Sequence, residues 1–183
     1  MMAGLTPSIV ELQIYNVVKA LLVTVTGLNP NVVIRGLPNR SAMPPAAPGF
    51  ATMQLTLSER LNYNIDTWDP TATAPTTISS ETHWKERMQV DFYGTTAGDW
   101  AKVFCGLWKD EIGCLALEPV CDPLYTDGPL WAPLDDEEQQ YEQRRTVQAY
   151  LQYNPVVTPP MQFAEPPYGP VTILNVDETY PPT

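Results

Sequence analysis

A chain of 183 residues, 44% of them hydrophobic, has the length of one domain and can fold around a single core without a metal or disulfide staple. Ten Lys and Arg against twenty-one Asp and Glu give a net charge of −11, and the basic residues are scattered from Lys19 to Arg145, which argues against a protein that grips nucleic acid through a basic patch. Cys105, Cys114 and Cys121 are an odd set with neither zinc-knuckle nor CxxC spacing, so three reduced, mostly buried thiols and assembly in a reducing cytoplasm are expected.

The first predicted element is a helix. Ser8 and Glu11 have capping-box spacing after Pro7, and Val10, Ile14, Val17, Val18, Leu21 and Val25 then form one apolar stripe that Gly27 stops. Glu11, Gln13, Asn16 and Lys19 interrupt this stretch, and a membrane span needs about 20 mostly apolar residues. With no basic segment ahead of it, the chain is expected to be soluble, unprocessed and without a membrane partner. "NVVIRG", Asn31 to Gly36, reads as a short strand, and Leu37 to Gly49, with four prolines, as an ordered loop or extended arm.

Two long alternating runs follow. Met53, Leu55, Leu57, Leu61, Tyr63 and Ile65 share one predicted face, broken by Glu59, and Trp84, Met88, Val90 and Phe92 share another, broken by Glu86. Joined by the polar segment Asp66 to Glu81, they predict an antiparallel hairpin with a large tip. The two glutamates mark a bulge or the point where the hairpin leaves its core; the competing reading is an acid/base pair or metal site on one sheet face. No histidine or further ligand stands beside them in the sequence.

Thr96 to Asp99 is a cap for a second helix, with Trp100, Val103, Phe104, Leu107, Trp108 and Ile112 inward and Gly113 as its end. Leu115 to Val120 reads as a strand and Cys121 to Gln140 as a turn-rich loop with a solvated acidic run. Tyr141 to Tyr153 alternates again, with Val147, Ala149, Leu151 and Tyr153 on one face. Eight prolines then fall in the last 29 residues around one strand-like segment, Val171 to Val176. The expected fold is α+β: an antiparallel sheet of about 4–6 strands flanked by two helices, with a projecting hairpin. The expected division is a body over residues 1–154 and a Pro-rich arm over 155–183.

Catalytic equipment is sparse. His83 is the single histidine, and HExxH, CxxC, GxSxG, Walker and GxGxxG patterns are all missing, so no enzyme and no cofactor are expected. Capping, turn formation or solvation accounts for Ser8, Asp91, Asp99 and Asp110. A binding module using Trp68, Trp84 or Trp131, for instance in host recognition, remains the alternative from another class.

"EQQYEQRRTVQAYLQYNPVVTPPMQFAEP", Glu138 to Pro166, resembles the C-terminal strand and arm of the phage neck (tail) terminator proteins of long-tailed bacteriophages. The similarity extends to "VVIRGLPN" at Val32, "RLNYNIDTW" at Arg60, "MQVDFYG" at Met88, "KDE" at Lys109 and "CDPLY" at Cys121, in the right order over most of the chain. It departs at Arg145, where an aromatic is expected, and in Asp127 to Asp136, which is more proline-rich. The resemblance implies a structural virion protein assembled in the host cytoplasm. It forms a ring, usually of six subunits, that caps the tail tube, meets the tube protein and the head-completion or adaptor protein, and lets double-stranded DNA pass. A neighbouring head-tail adaptor or tail-completion protein is the close alternative. Candidate subunit-interface residues in the hairpin are Glu59, Trp68, Ile78 and Glu86. Those of the last strand and arm are Tyr153, Val156, Val157, Phe163, Val171, Ile173 and Val176.

Overall fold

The computed structural model describes residues 5–36, 44, 48–68, 78–132, 134–135 and 141–159, with the backbone alone at 68, 134–135 and 141–142. In chain order the elements are α1 (Glu11–Thr26), β1 (Val33–Arg35), β2 (Phe50–Arg60), β3 (Ile65–Trp68), β4 (Ile78–Glu81), β5 (Trp84–Tyr93), α2 (Ala97–Leu107), α3 (Glu111–Leu117), β6 (Asp122–Trp131), β7 (Leu134–Asp135), β8 (Tyr141–Glu142), β9 (Arg144–Tyr153) and β10 (Val156–Val157). The class is α+β, as expected. The main sheet has the order β1-β2-β5-β9-β6 and is mixed, because β1 runs parallel to β2 while the other pairs are antiparallel. A second sheet has the order β10-β4-β3, and β7 pairs with β8.

One face of the main sheet carries Met53, Met88, Val90, Phe92, Val147, Ala149 and Leu151, all at most 1% exposed. Against it pack Ile14, Val18, Leu21 and Leu22 of α1, Phe104 of α2 with Trp108 at its C-terminal end, and Leu117 of α3. Burying each such large side chain is worth about 1.5–3 kcal/mol, and this layer supplies the bulk of the driving force. Phe104 bridges the layers, its ring 5.9 Å from Phe92 and 5.2 Å from Trp108. The Trp108 indole N–H reaches through to donate to the Tyr150 carbonyl at 3.2 Å.

Three expectations need correction. The capping box does not form: Val10 is the N-cap of α1, Gln13 Oε1 accepts its N–H at 2.8 Å, and Ser8 bonds elsewhere. Gly27, with φ 69°, does end the helix as expected.

The second helix stops at Leu107, and the expected strand Leu115–Val120 is instead the end of α3 and the turn that follows it. Gly113 does not terminate anything. A Cβ there would lie 2.2 Å from the Trp108 carbonyl oxygen and 2.3 Å from that of Leu107, so glycine is what lets α3 fold closely over the end of α2. Within α2 the inward stripe is Ala97, Ala101 and Phe104, continued by Trp108 at its end, which leaves Val103 43% exposed, and Ile112 on α3 is 47% exposed.

The expected loop after Cys121 contains the edge strand β6. Its Pro123 and Pro129 cost little, because only one side of an edge strand needs N–H donors, and the pairing with β9 shifts at two points to admit them.

Candidate functional site

The sequence pattern breaks where β2 carries a bulge. Leu55 pairs with Met88 and Leu57 with Arg87, leaving Thr56 as an extra residue. The Leu55 N–H turns instead to the Tyr15 hydroxyl at 2.8 Å, so α1 holds the bulge, while Thr56 Oγ1 accepts from Arg87 Nε at 3.0 Å. Beyond it, Ser58 rather than Leu57 or Glu59 continues the helix-side face.

Glu59 and Glu86 are thereby separated, which overturns the acid/base pairing. Glu59 lies on the helix-free face and meets Lys85 Nζ at 2.7 Å. Glu86, 3% exposed, accepts from Ser58 Oγ at 2.7 Å and from the Tyr153 hydroxyl at 3.3 Å. Burial pushes its carboxyl above the ordinary value, with the two hydroxyls pulling it down and the charge of Glu11 adding a small push upward. Burial and the Glu86 charge in turn push the Tyr153 phenol up to about 12. As an interface candidate Glu86 is therefore corrected: it is an interior group, sealed under Tyr153.

The opposite face of the main sheet is free of helices among the described residues. Its rows run Thr52, Asp91, Thr146; then Gln54, Gln89, Gln148; then Leu57, Arg87, Tyr150, Tyr125; then Glu59, Lys85, Gln152. Asp91, 6% exposed, is the hub of the first row: it accepts from Thr146 Oγ1 at 2.6 Å, Arg144 Nη2 at 2.9 Å and Gln89 Nε2 at 2.8 Å. The Asp91 carboxylate holds Arg144 more firmly protonated than usual, although burial works against it. Further out, Tyr125 and Tyr150 stack at 4.3 Å, and Leu57, Tyr125 and Leu130 remain 47–58% exposed.

The small sheet grows from the hairpin. The Leu61 N–H donates to the His83 carbonyl at 2.9 Å and the His83 N–H to Asn62 Oδ1 at 2.8 Å, turning the strands out of the main sheet into β3 and β4. His83 itself faces Glu81 Oε1 at 2.9 Å, and Arg60 ties the turn through the Asn62 carbonyl and Asn64 Oδ1. Leu57, Leu61, Tyr63 and Ile65, expected to be inward, are 45–91% exposed because the bulge and this turn take them off the core.

β10 completes the small sheet from the other side. Val156 and Val157 pair antiparallel with Glu81 and Ser80, so the root of the C-terminal arm is held by its own chain. Ser8 locks it there: its N–H donates to the Val156 carbonyl and its Oγ accepts the Val156 N–H, both at 2.9 Å. Ile78, Val156 and Val157 are half-buried, the side chain of Trp68 is not described, and Phe163, Val171, Ile173 and Val176 lie outside the described residues. Of the other tryptophans, Trp84 is half-buried with its indole N–H on Thr82, and Trp131 is 66% exposed.

Nothing in the sequence pattern marked the Ser8 clasp or the Asp91 hub, since both join residues far apart in the chain. The thiols are free: Cys121 is buried and pushed up to about 12, Cys105 is half-buried, and Cys114 is exposed, contrary to expectation. Among the described residues no group of three or more His, Cys, Asp or Glu side chains converges on one point, and no helix is long and apolar enough to cross a membrane.

No curated protein matches the chain. The family model described as phage neck terminator protein matches residues 12–181, which takes in every described strand and, but for Glu11, the three described helices. A match over nearly the whole chain shows the family, and the α+β class of fold agrees with it. The chain belongs to the phage neck terminator protein family, structural components of the virion tail and neck that work in contact with other tail and head proteins.

Proposed function

We propose that the chain closes into a ring, of six copies, at the head-proximal end of the phage tail. There it terminates the tail tube, joins it to the head-completion or adaptor protein, and leaves a lumen for double-stranded DNA. The observation that carries this reading is the distal hairpin, where Leu57, Leu61, Tyr63 and Ile65 stand 45–91% exposed beyond the core that their own chain provides. A lone exposed leucine is ordinary, but a run of them on one projecting element is a contact surface.

Ring closure uses two different flanks of each subunit. The helical layer offers exposed Leu12, Val103, Ile112 and Leu115, and the opposite sheet face offers Leu57, Tyr125 and Leu130. Hairpin residues Trp68 and Ile78 and arm residues Phe163, Val171, Ile173 and Val176 are the proposed inter-subunit contacts. Six copies carry six times the −11 of one chain, and a lumen of that sign would repel phosphates and keep the genome from sticking. The helix-free face balances Lys85, Arg87 and Arg144 against Glu59, Asp91, Asp122 and Asp127, so the surplus sits elsewhere on the chain.

The test is a full-length chain with Tyr63→Asp and Ile65→Asp. Both positions are exposed, so circular dichroism should be unchanged while the ring fails to form; a ring of unchanged mass would overturn the role given to the hairpin. For the lumen, neutralising the carboxylates that line it should slow DNA ejection.

A further inference from the structure

We infer that the outer edge of β3, unpaired among the described residues, receives the segment Val171–Val176 from the C-terminal arm of a second copy of this chain. The inference rests on the ring reading and names one contact within it.

Sheet edges are normally protected against such pairing, and among the described residues three of the four edges of the two larger sheets are. β1 is only three residues long. β6 carries Pro123, Pro129 and two breaks in register. β10 has Ser8 bonded to its outer side. β3 is itself only four residues long, but its sequence IDTW holds no proline and no lysine, and its register with β4 runs unbroken from Ile65↔Glu81 to Trp68↔Ile78. Ile65 is 48% exposed and Thr67 is exposed beside it.

The same small sheet already takes a strand from the arm, since β10 is the arm's first segment, added to the other side of β4. The β-branched residues Val171, Thr172, Ile173 and Val176 suit a second addition of the same kind, in which backbone bonds supply affinity and alternate side chains specificity.

The length of the arm allows it to fill a neighbour's edge. The vacant position beside β3 lies three strand spacings from β10, roughly 14 Å. The connector, residues 160–170, contains Pro160, Pro166, Pro167 and Pro170, and at about 3.1 Å per residue in the extended form that proline favours it spans roughly 34 Å. Fully extended, the connector is more than twice as long as the step to its own edge requires, so it can carry the segment beyond its own subunit.

The test uses full-length chains in a Cys114→Ser background, which removes the exposed native thiol. One chain carries Thr67→Cys and the other Ile173→Cys, and the mixture is treated with a bis-maleimide linker of about 8 Å, long enough to bridge direct and diagonal cross-strand neighbours. A 67–173 linkage between two chains is expected, and Ile173→Pro should raise the dissociation constant of the assembly at least tenfold while Ile173→Val leaves it unchanged. Linkage found only within single chains of a doubly substituted protein overturns the inference. If closed rings form with Ile173→Pro as tightly as without it and no 67–173 linkage appears, the arm contact falls while the ring stands. If the linkage joins chains that never close into a ring, the ring reading falls and the arm contact stands.

Discussion

Glu59 and Glu86 lie one step apart along paired strands, yet they face opposite sides of the sheet, Glu59 on Lys85 and Glu86 beneath Ser58 and Tyr153. The single extra residue at Thr56 makes the difference. Because burial raises the Glu86 pKa above 4.5, the folded chain holds that proton more tightly than the unfolded chain. The resulting stabilisation is complete below the unfolded value and is lost as pH rises through the folded one. Glu86→Gln, compared with the parent by denaturant unfolding between about pH 4 and 7, should therefore remove a contribution to stability that falls with rising pH. An equal slope in both proteins would contradict this account of Glu86.

Asp91 holds Arg144, Thr146 and Gln89 together beneath the helix-free face. Asp91→Ala removes the acceptor for all three and leaves a half-buried guanidinium without its counter-charge, so a loss of about 3 kcal/mol is expected. The chain should remain folded, with a midpoint lowered in denaturant and an unchanged slope.

Gly113→Ala gives a test by sign. At an ordinary exposed helix position this change stabilises by up to about 1 kcal/mol. Here the new methyl meets backbone carbonyls at 2.2 and 2.3 Å, atoms that no rotamer can move, so thermal unfolding should show destabilisation.

Adjacent residues of α2 should differ sharply. Phe104→Ala empties the junction between Phe92 and Trp108 and should cost about 3–5 kcal/mol. Val103→Ala, at a position 43% exposed, should fall within about 0.5 kcal/mol of the parent. A loss at Val103 comparable to that at Phe104 would restore the wider helix face that the sequence spacing suggested.

What the sequence made legible was what depends on local periodicity. The stripe Ile14, Val18, Leu21 on α1 and the alternation of Met88, Val90, Phe92 and of Val147, Ala149, Leu151 all appear in the core. A break at Glu59 and Glu86 was also readable, and a bulge at Thr56 is its cause. Illegible were features set by tertiary contact. Gly113 looks like a helix stop because a sequence does not reveal that Leu107 and Trp108 carbonyls lie against it. Pro123 and Pro129 look like a loop because their place at a sheet edge is a property of the whole sheet. Ser8 has the spacing of a cap, but the strand it clasps is 148 residues away. The candidate interface divides the same way: hairpin exposure at Tyr63 and Ile65 was hidden by an alternation that continued beyond the core, and Glu86 was offered as a surface group because burial of a carboxylate leaves no mark on the pattern.

The measurement that bears most directly on the ring is the native mass of the purified full-length chain across a range of concentrations, alone and with tail tube protein. A closed species at six times the 20.4 kDa of one chain, formed alone or on the tube, is the predicted result. A chain that stays monomeric at every concentration and in the presence of the tube would contradict it.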